Sequence, residues 1–248
     1  MAMQYDKKQL EILIMDYFRA NWPEFPKSMV VSTESPDFTI SLNNRNKLGI
    51  ELTRLNPVNR SIVSGLPSEQ NRINDEIVLM ASEIFSQTSP LKLFVKILFS
   101  AKTVISGERK TQVAILCADL VGKAVQHKNP LSFFNSIVAG EQLPEGVERI
   151  LVVHHPVLQT PVWERANNLG VSTDVVDDIR QAIKKKDEKL SIYHKKQLNL
   201  YWLVIISDRL RGLKQFNLPQ QIDRHEFHSR FQRVFLFDLM KPDIYQIV

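Results

Sequence analysis

The most constraining feature of this chain is a pair of short apolar segments, Phe38–Leu42 and Leu48–Leu55, separated by the polar run Asn43–Asn46. Asparagine-rich turns between such segments are typical of β-hairpins. A proline-aspartate pair ending in Asp37 precedes the first segment, and Glu51 stands 14 positions later inside the second. In an antiparallel hairpin, the start of the first strand lies beside the far half of the second. The spacing therefore predicts that Asp37 and Glu51 approach each other at one sheet edge.

Alternation along the second segment decides which side chains share a face of the sheet. Gly49, Glu51 and Thr53 fall on one face. Ile50 and Leu52 fall on the other face, which we expect to enter the core. Two carboxylates at a sheet edge suit Mg²⁺, which takes oxygen ligands from few protein groups and completes its shell with water and substrate phosphate. Asp37 and Glu51 are therefore the candidate metal ligands, with Mg²⁺ or Mn²⁺ as the cofactor.

The rest of the chain alternates helical and strand-like patterns. The predicted elements are a helix over residues 7–21, a strand at Met29–Thr33, a loop at Leu55–Pro67, a helix from Ser68 to about Ser86, a strand over residues 91–99, helices near Gln112–Lys128 and Thr173–Tyr193, and strands at Glu148–His155, Tyr201–Ser207 and Arg233–Leu239. In the strand over residues 91–99, Lys92 and Lys96 alternate with apolar residues, which predicts a half-buried strand. The pattern predicts a mixed α/β fold.

Composition limits the class of protein. Hydrophobic residues make up 44% and charged residues 24% of the 248 positions, which is typical of a globular protein with a real core. No apolar run is long enough to span a membrane and the first residues do not resemble a secretory signal, so we expect a cytoplasmic protein. Cys117 is the single cysteine and lies in an apolar run, which excludes an intrachain disulfide and predicts a buried thiol. The formal charge of +5 permits a phosphate-bearing partner.

The order helix, three-stranded meander, helix, strand, together with the sequences Pro-Asp-Phe and Gly-Ile-Glu-Leu-Thr in the hairpin, resembles the PD-(D/E)xK superfamily of restriction-endonuclease-like phosphodiesterases. The resemblance covers residues about 1–100. It implies a restriction-endonuclease-like core in a mixed central sheet flanked by helices. The length of 248 residues allows one large α/β domain or two small ones, and we expect a single domain over residues 1–248, in which residues about 101–248 extend the core.

The resemblance implies roles for individual residues. In this superfamily the aspartate of the first motif and the acid of the second bind magnesium, and a lysine two positions after that acid orients or activates water. Asp37 and Glu51 match the two acids, whereas Thr53 stands where the lysine is expected. A threonine hydroxyl can hydrogen-bond a metal-bound water but supplies no positive charge.

Three lysines are candidates to replace the missing cation: Lys47, on the face of Glu51 in a regular strand, and Lys186 or Lys189 in a later helix. Family members often place a further acid on the first helix, and Glu11 borders the apolar stripe there. Glu34 is the alternative for that role.

Gln70, on the helix after the hairpin, resembles a glutamine that some relatives place near the site. Arg54, Arg60 and Arg72 are candidates for phosphate contacts.

The resemblance implies a metal-dependent nuclease that hydrolyses phosphodiester bonds of DNA or RNA. The alternative is a catalytically inactive protein of the same fold that binds nucleic acid or a protein partner, because the lysine motif is altered. A purely structural role and a homodimer stay open.

Two histidine pairs complete the set of polar candidates. His154-His155 ends a predicted strand, and His225 and His228 stand three residues apart. Zinc would need a further ligand near either pair, so surface positions are the default expectation. Trp202 lies directly before the apolar run Leu203–Ile206 and is expected to pack in the core.

Overall fold

A computed structural model of the chain describes residues 6–55, 68–100, 102–166, 175–190, 198–208 and 225–248. The chain forms two compact units, each made of two stretches of sequence. Unit 1 comprises Met1–Tyr17 and Ile62–Asn168, and unit 2 comprises Phe18–Ser61 and Leu169–Val248. The first helix therefore begins in unit 1 and ends in unit 2. No helix in the described ranges is long and apolar enough to cross a bilayer.

Four α-helices and ten strands are present in the described residues. The helices are α1 (Lys7–Asn21), α2 (Ser68–Thr88), α3 (Lys110–Val125) and α4 (Val175–Asp187); the strands are β1 (Val30–Ser32), β2 (Phe38–Ser41), β3 (Lys47–Arg54), β4 (Leu93–Phe99), β5 (Phe134–Val138), β6 (Val147–His154), β7 (Val162–Arg165), β8 (Leu200–Ser207), β9 (Arg233–Asp238) and β10 (Asp243–Gln246). The mixed α/β class is confirmed. β5, β7 and β10 have no counterpart among the predicted elements, because each is short and carries polar residues that break the alternation.

Unit 1 is built around a four-stranded sheet of order β5-β6-β4-β7. β6 pairs antiparallel with β4 and β5, whereas β7 runs parallel to β4. Apolar side chains of α2 and α3, including Ile77, Phe85 and Cys117, pack with Val95 and Ile97 of β4 in one core cluster. Burial of these side chains is the main stabilising term of this unit.

β4 differs from the half-buried strand expected from the sequence. All seven of its residues are buried, and the side chain of Lys96 is only 1% exposed. The Lys96 Nζ lies 2.9 Å from a carboxylate oxygen of Glu164, its direct neighbour on β7. Because a buried charge is tolerated when an opposite charge pairs with it, this lysine can occupy the interior face of a sheet.

Unit 2 contains a six-stranded sheet of order β1-β2-β3-β8-β9-β10. β1, β2 and β3 form an antiparallel meander, as predicted, and β3, β8 and β9 are parallel. The β2–β3 turn closes where the sequence predicts it: the Asn43 side-chain oxygen accepts hydrogen bonds from the backbone N–H groups of Arg45 and Asn46, at 2.9 and 2.8 Å. This local acceptor sets the hairpin register that pairs Phe38 with Ile50.

The two faces of the unit 2 sheet carry different side chains. One face is aromatic, and Phe18 makes edge-on ring contacts with Phe235 and Phe237. Trp202 lies on this face, 7% exposed and in contact with Phe235, so its predicted core position is confirmed. On the opposite face, Tyr201, Leu203 and Ile205 of β8 belong to a second hydrophobic cluster with Ile179 and Ile183 of α4.

The expectation of one central sheet is corrected by this topology. β4, which the sequence analysis placed in the same sheet as the hairpin, belongs to the sheet of unit 1, and the strand beside β3 is β8. β8 is almost entirely buried, as is usual for a central parallel strand with both faces covered. Local sequence does not select β8 over β4 as a partner of β3, because both are predominantly apolar strands.

Candidate functional site

Asp37 and Glu51 are brought together by the β2–β3 pairing. The register that pairs Phe38 with Ile50 places Asp37, one residue before β2, opposite Glu51. Residues opposite each other in an antiparallel ladder share a face. The Asp37 Oδ2 accepts a hydrogen bond of 2.7 Å from the backbone N–H of Leu52, the residue after Glu51. This is the arrangement that the 14-residue spacing predicts.

Gly49 makes the close approach of the aspartate segment possible. A Cβ atom at Gly49 would lie 2.7 Å from Pro36 Cγ and 2.9 Å from Leu198 Cδ1. Such distances are well inside van der Waals contact, so any larger residue would displace the segment that carries Asp37. The same segment is closed by the backbone N–H of Thr33, which donates to the Asp37 carbonyl oxygen at 2.8 Å.

Lys186 supplies a positive charge to this site. Its Nζ lies 2.6 Å from Glu51 Oε1 and 3.3 Å from the backbone oxygen of Leu52. The Lys186 side chain is 14% exposed and that of Glu51 is 7% exposed. Partial exclusion of water strengthens the attraction between the two charges. Of the lysines considered from the sequence, the one that contacts Glu51 thus comes from α4.

The other two lysines take different positions. Lys189 is exposed beyond the end of α4. Lys47 is exposed at the start of β3, four residues before Glu51, and so roughly 13 Å from it along an extended strand. Lys47 therefore lies away from the carboxylate that it was a candidate to serve.

Thr53 and Arg54 end β3. Thr53 is half-buried and, by alternation, shares the face of Glu51, so its hydroxyl lies on the side of the site. Arg54 is exposed and points to the opposite face. A phosphate contact from Arg54 would therefore have to form at the end of the strand and not on the face of the acids.

Glu34 and Glu11 are the other two acids considered from the sequence. Glu34 is exposed, three residues before Asp37. Glu11 belongs to the part of α1 that lies in unit 1, where its carboxylate pairs with Lys7 at 3.1 Å and Lys8 at 3.4 Å.

Two further candidates, Gln70 and Arg72, belong to unit 1. Gln70 lies in unit 1, buried, and donates to the Asn74 side-chain oxygen at 2.9 Å. Arg72, also in unit 1, pairs with Glu76 and approaches Glu69 at 3.9 Å, so its charge is already balanced by acids. Arg60 lies outside the described residues.

The histidine pairs show no sign of a zinc site. His154 is buried in unit 1, and its two ring nitrogens lie 2.9 Å from the Lys92 carbonyl oxygen and 2.8 Å from that of Pro130, which corrects the surface position expected for it. His155 pairs with Asp16 at 2.9 Å. His225 and His228 are exposed, as expected.

The donor chemistry of the site fits a hard divalent cation. Asp37 and Glu51 offer carboxylate oxygens from neighbouring positions, and Mg²⁺ is commonly bound through one or two carboxylates plus waters and substrate phosphates. Within the described part of the chain, no group of three or more His, Cys, Asp or Glu side chains is arranged as a metal site. The two hydrogen bonds described above use Oδ2 of Asp37 and Oε1 of Glu51.

Sequence reasoning found the two acids and left the lysine among three alternatives. It missed Gly49 as a packing requirement, although a glycine inside a strand is a signal of close backbone approach. Comparisons of the chain with models of protein families, with curated proteins and with solved structures give no match.

Proposed function

We propose that this chain is a metal-dependent nuclease of the PD-(D/E)xK type that hydrolyses phosphodiester bonds of DNA or RNA. The observation that supports this most is the ion pair of 2.6 Å between Lys186 and Glu51, beside Asp37. With Asp37 and Glu51, Lys186 completes a set of two acids and one lysine. The sequence motif lacks this lysine because Thr53 stands in its position. The lysine reaches the second acid from a helix and not from the same strand.

The topology of unit 2 gives a second line of support. Along the chain, α1 is followed by the β1–β3 meander, then by α4, and then by β8, which runs parallel to β3. This is the order helix, meander, helix, strand of the superfamily, with residues 62–168 of unit 1 interposed before α4. Within unit 2 the proposed core therefore consists of the end of α1 from Phe18, β1–β3, α4 and β8, and not of residues about 1–100.

Each side chain has a defined part in the proposed reaction. Asp37 and Glu51 would hold Mg²⁺ or Mn²⁺, which when bound polarises a phosphate oxygen and lowers the pKa of a water. Lys186 holds the Glu51 carboxylate in place and, with one N–H on Glu51 and one on the Leu52 carbonyl oxygen, offers its third N–H to a phosphate oxygen or the attacking water. Thr53 provides a hydroxyl on the same face. Leu52 anchors Asp37 through its backbone N–H.

A second candidate is a nuclease-fold protein without catalysis that binds nucleic acid. The same ion pair favours it in one respect: Lys186 already balances the charge of Glu51, so the buried acid does not require a cation to be stable. This candidate predicts binding that weakens with salt and does not depend on magnesium.

Cleavage assays on purified variants separate the two candidates. Single- and double-stranded DNA and RNA would be incubated with Mg²⁺, Mn²⁺ or EDTA. We expect Asp37→Asn, Glu51→Gln and Lys186→Met each to lower the rate of metal-dependent cleavage by about 100-fold or more, because each removes a ligand or a charge at the reacting phosphate.

Lys185→Met is the matched control, since Lys185 is the exposed neighbour of Lys186 on α4. This variant should cut at the wild-type rate. Equal cleavage by wild type and by a protein that lacks both carboxylates would rule out the proposed site. Metal-independent binding without cleavage would favour the inactive candidate.

A further inference from the structure

His154 is a buried histidine whose two ring nitrogens both contact backbone carbonyl oxygens. It is the last residue of β6 in unit 1 and is 5% exposed. Its Nδ1 lies 2.9 Å from the carbonyl oxygen of Lys92, and its Nε2 lies 2.8 Å from that of Pro130. A carbonyl oxygen only accepts hydrogen bonds, so each contact requires a proton on the ring nitrogen. A neutral imidazole carries one such proton, and both contacts are hydrogen bonds only when the ring is an imidazolium.

The next residue, His155, has partners that suit a neutral ring. Its Nδ1 accepts a hydrogen bond of 3.0 Å from the backbone N–H of Val157, so this nitrogen carries no proton. Its Nε2 lies 2.9 Å from a carboxylate oxygen of Asp16 and donates to it. One acceptor and one donor are what a neutral imidazole provides. Two adjacent histidines therefore differ in the protons that their contacts require: one for His155 and two for His154.

The two carbonyl partners of His154 are held differently by the fold. Lys92 directly precedes Leu93, which is the cross-strand partner of His154 in the β4–β6 pairing. Pro130 belongs to the turn over residues 126–132 between α3 and β5, and every residue of this turn is exposed. Surface turns move more readily than paired strands. The contact with Pro130 is therefore the one that opens when the ring has a single proton.

The turn that carries Pro130 has hydrogen bonds of its own. The Asn129 side-chain oxygen accepts from the backbone N–H of Leu131 at 2.9 Å, and the backbone N–H of Ser132 donates to the Asn129 carbonyl oxygen at 3.2 Å. Neither bond involves His154. Loss of the His154 contact thus changes the position of the turn and leaves these internal bonds in place, and the amides of Leu131 and Ser132 lie close enough to Pro130 to report the change.

The surroundings of His154 act on its charge in opposite directions. Burial disfavours the charged ring. The Phe134 ring favours it, because it stacks on His154 with a centroid distance of 4.9 Å and an interplanar angle of 27°. The charged side chains on the surrounding elements are exposed and screened by water and salt: Lys92 before β4, His127 and Lys128 on the turn, and Asp119 and Lys123, which pair with each other on α3. The nearby Asp16 is bonded to His155.

We propose that His154 is a proton-dependent clasp. With two protons its ring binds both the start of β4 and the turn over residues 126–132, and with one proton it releases the turn. Because the second bond forms only with the charged ring, the closed clasp binds this proton more tightly than the open one. A fall in pH therefore closes the clasp and a rise opens it, in the range between about pH 5 and 8 where histidines change charge.

This device is independent of the proposed nuclease function. It lies in unit 1, whereas Asp37 and Glu51 lie in unit 2. Loss of cleavage in the variants of the two acids would leave the clasp unaffected, and failure of the clasp would leave the proposed site as it stands.

NMR spectroscopy of nitrogen-15-labelled protein between about pH 5 and 9 tests the proposal, because the shift of a ring nitrogen shows whether it carries a proton. We expect both ring nitrogens of His154 to be protonated at the acidic end, where its two contacts are closed, and one of them to lose its proton as the pH rises. The Leu131 and Ser132 amide signals should shift with the same midpoint. The ratio of open to closed turn should rise by up to about tenfold per pH unit.

His127 provides the matched control, because it is an exposed histidine on the same turn and its own titration would also move these amide signals. His127→Gln should keep the transition of the turn. Adding His154→Gln to this protein should abolish the transition, since no ring is left to bind the proton between the two carbonyl groups.

Three outcomes would overturn the proposal. They are a His154 ring with an unprotonated nitrogen throughout the range, amide signals of the turn that do not follow the His154 ring, or a transition that survives His154→Gln. The first two are read from the His127→Gln protein alone, with the His154 signals identified by replacing the other histidines one at a time. The test therefore stands even if the His154→Gln protein does not fold.

Discussion

The two units each contain a lysine-glutamate ion pair, and the pairs are built in opposite ways. In unit 1 the lysine is the buried partner: Lys96, on β4, is 1% exposed, and Glu164 beside it on β7 is 21% exposed. In unit 2 the acid is the more buried partner: Glu51, on β3, is 7% exposed, and Lys186 reaches it from α4 with 14% of its side chain exposed. The first contact joins two strands, whereas the second joins a strand to a helix.

This difference indicates what each pair can do. The cross-strand contact in unit 1 brings together one base and one acid on a rigid sheet. The contact in unit 2 has a second acid, Asp37, at the neighbouring position, so its formal charge is negative and a divalent cation would be attracted to it. Lys186 is long and reaches Glu51 from the surface of a helix, so it can also turn toward solvent or substrate.

The largest expected contrast comes from removing one negative charge from each pair. Glu51→Gln should abolish metal-dependent cleavage and lower the free energy of unfolding by no more than about 1.5 kcal/mol, because Lys186 can turn toward water. Glu164→Gln should leave cleavage unchanged and cost about 2–4 kcal/mol, because Lys96 cannot reach water from its strand. Urea unfolding and initial cleavage rates measure the two effects.

Two results would contradict the different roles assigned to the two ion pairs. If Glu164→Gln reduces cleavage as strongly as Glu51→Gln while both proteins stay folded at the assay temperature, unit 2 is not the site of the activity. If Glu51→Gln is the more destabilising variant, its pair with Lys186 has mainly a structural role.

A relocated lysine gives the next largest effect. In the double variant Thr53→Lys with Lys186→Met, the positive charge returns to the position that the superfamily motif expects, on the same face as Glu51. We expect this variant to cut about tenfold faster than Lys186→Met alone, because a cation again lies beside the second acid. The control for an added positive charge is the double variant Ser41→Lys with Lys186→Met, because Ser41 is exposed. Leu48→Lys is unsuitable because Leu48 is fully buried.

Circular dichroism should first show that the two proteins are equally folded. If the double variant with Thr53→Lys then cuts no faster than Lys186→Met alone, a lysine at position 53 does not replace Lys186. An equal gain from Ser41→Lys would show that any added positive charge suffices.

The acid pair could be predicted from the sequence because it depends on a local hairpin. The turn at Asn43–Asn46 sets the register, and the register places Asp37 opposite Glu51. The lysine could not be chosen in this way. Lys186 is 135 residues from Glu51 along the chain, and its position depends on α4 packing against the sheet. Long-range pairing of this kind leaves no mark in local periodicity.

The same reason explains the error over β4. Alternation correctly assigned Val95 and Ile97 to a core face, yet it also predicted that Lys96 faces outward. The partner that makes burial of Lys96 possible, Glu164, lies on a short strand that the pattern did not predict. The choice of β8 over β4 as the neighbour of β3 likewise depends on contacts far apart in sequence.

The smallest expected effect concerns the closed core of unit 1. Burial raises the pKa of the Cys117 thiol from 9.0 to about 12. Above about pH 9 the unfolded chain loses this proton and the folded chain keeps it, so stability should fall by at most about 1.4 kcal/mol as the pH rises from 9 to 10. Cys117→Ala removes this contribution, while Tyr201, whose pKa is also raised by burial, remains in both proteins.

Urea unfolding of both proteins at a series of pH values measures the difference. A Cys117→Ala protein with the same pH dependence as wild type would contradict a thiol enclosed in the core. Below about pH 9 the two proteins should differ by a constant amount.

Binding of Mn²⁺ tests the central account most directly, because it depends on the two acids and on no substrate. Electron paramagnetic resonance can count bound Mn²⁺ in the wild-type protein, in Asp37→Asn, in Glu51→Gln and in the matched Glu164→Gln. The account predicts one bound ion per chain in wild type and Glu164→Gln, and its loss in both unit 2 variants. Equal binding by all four proteins would show that Asp37 and Glu51 do not hold the metal.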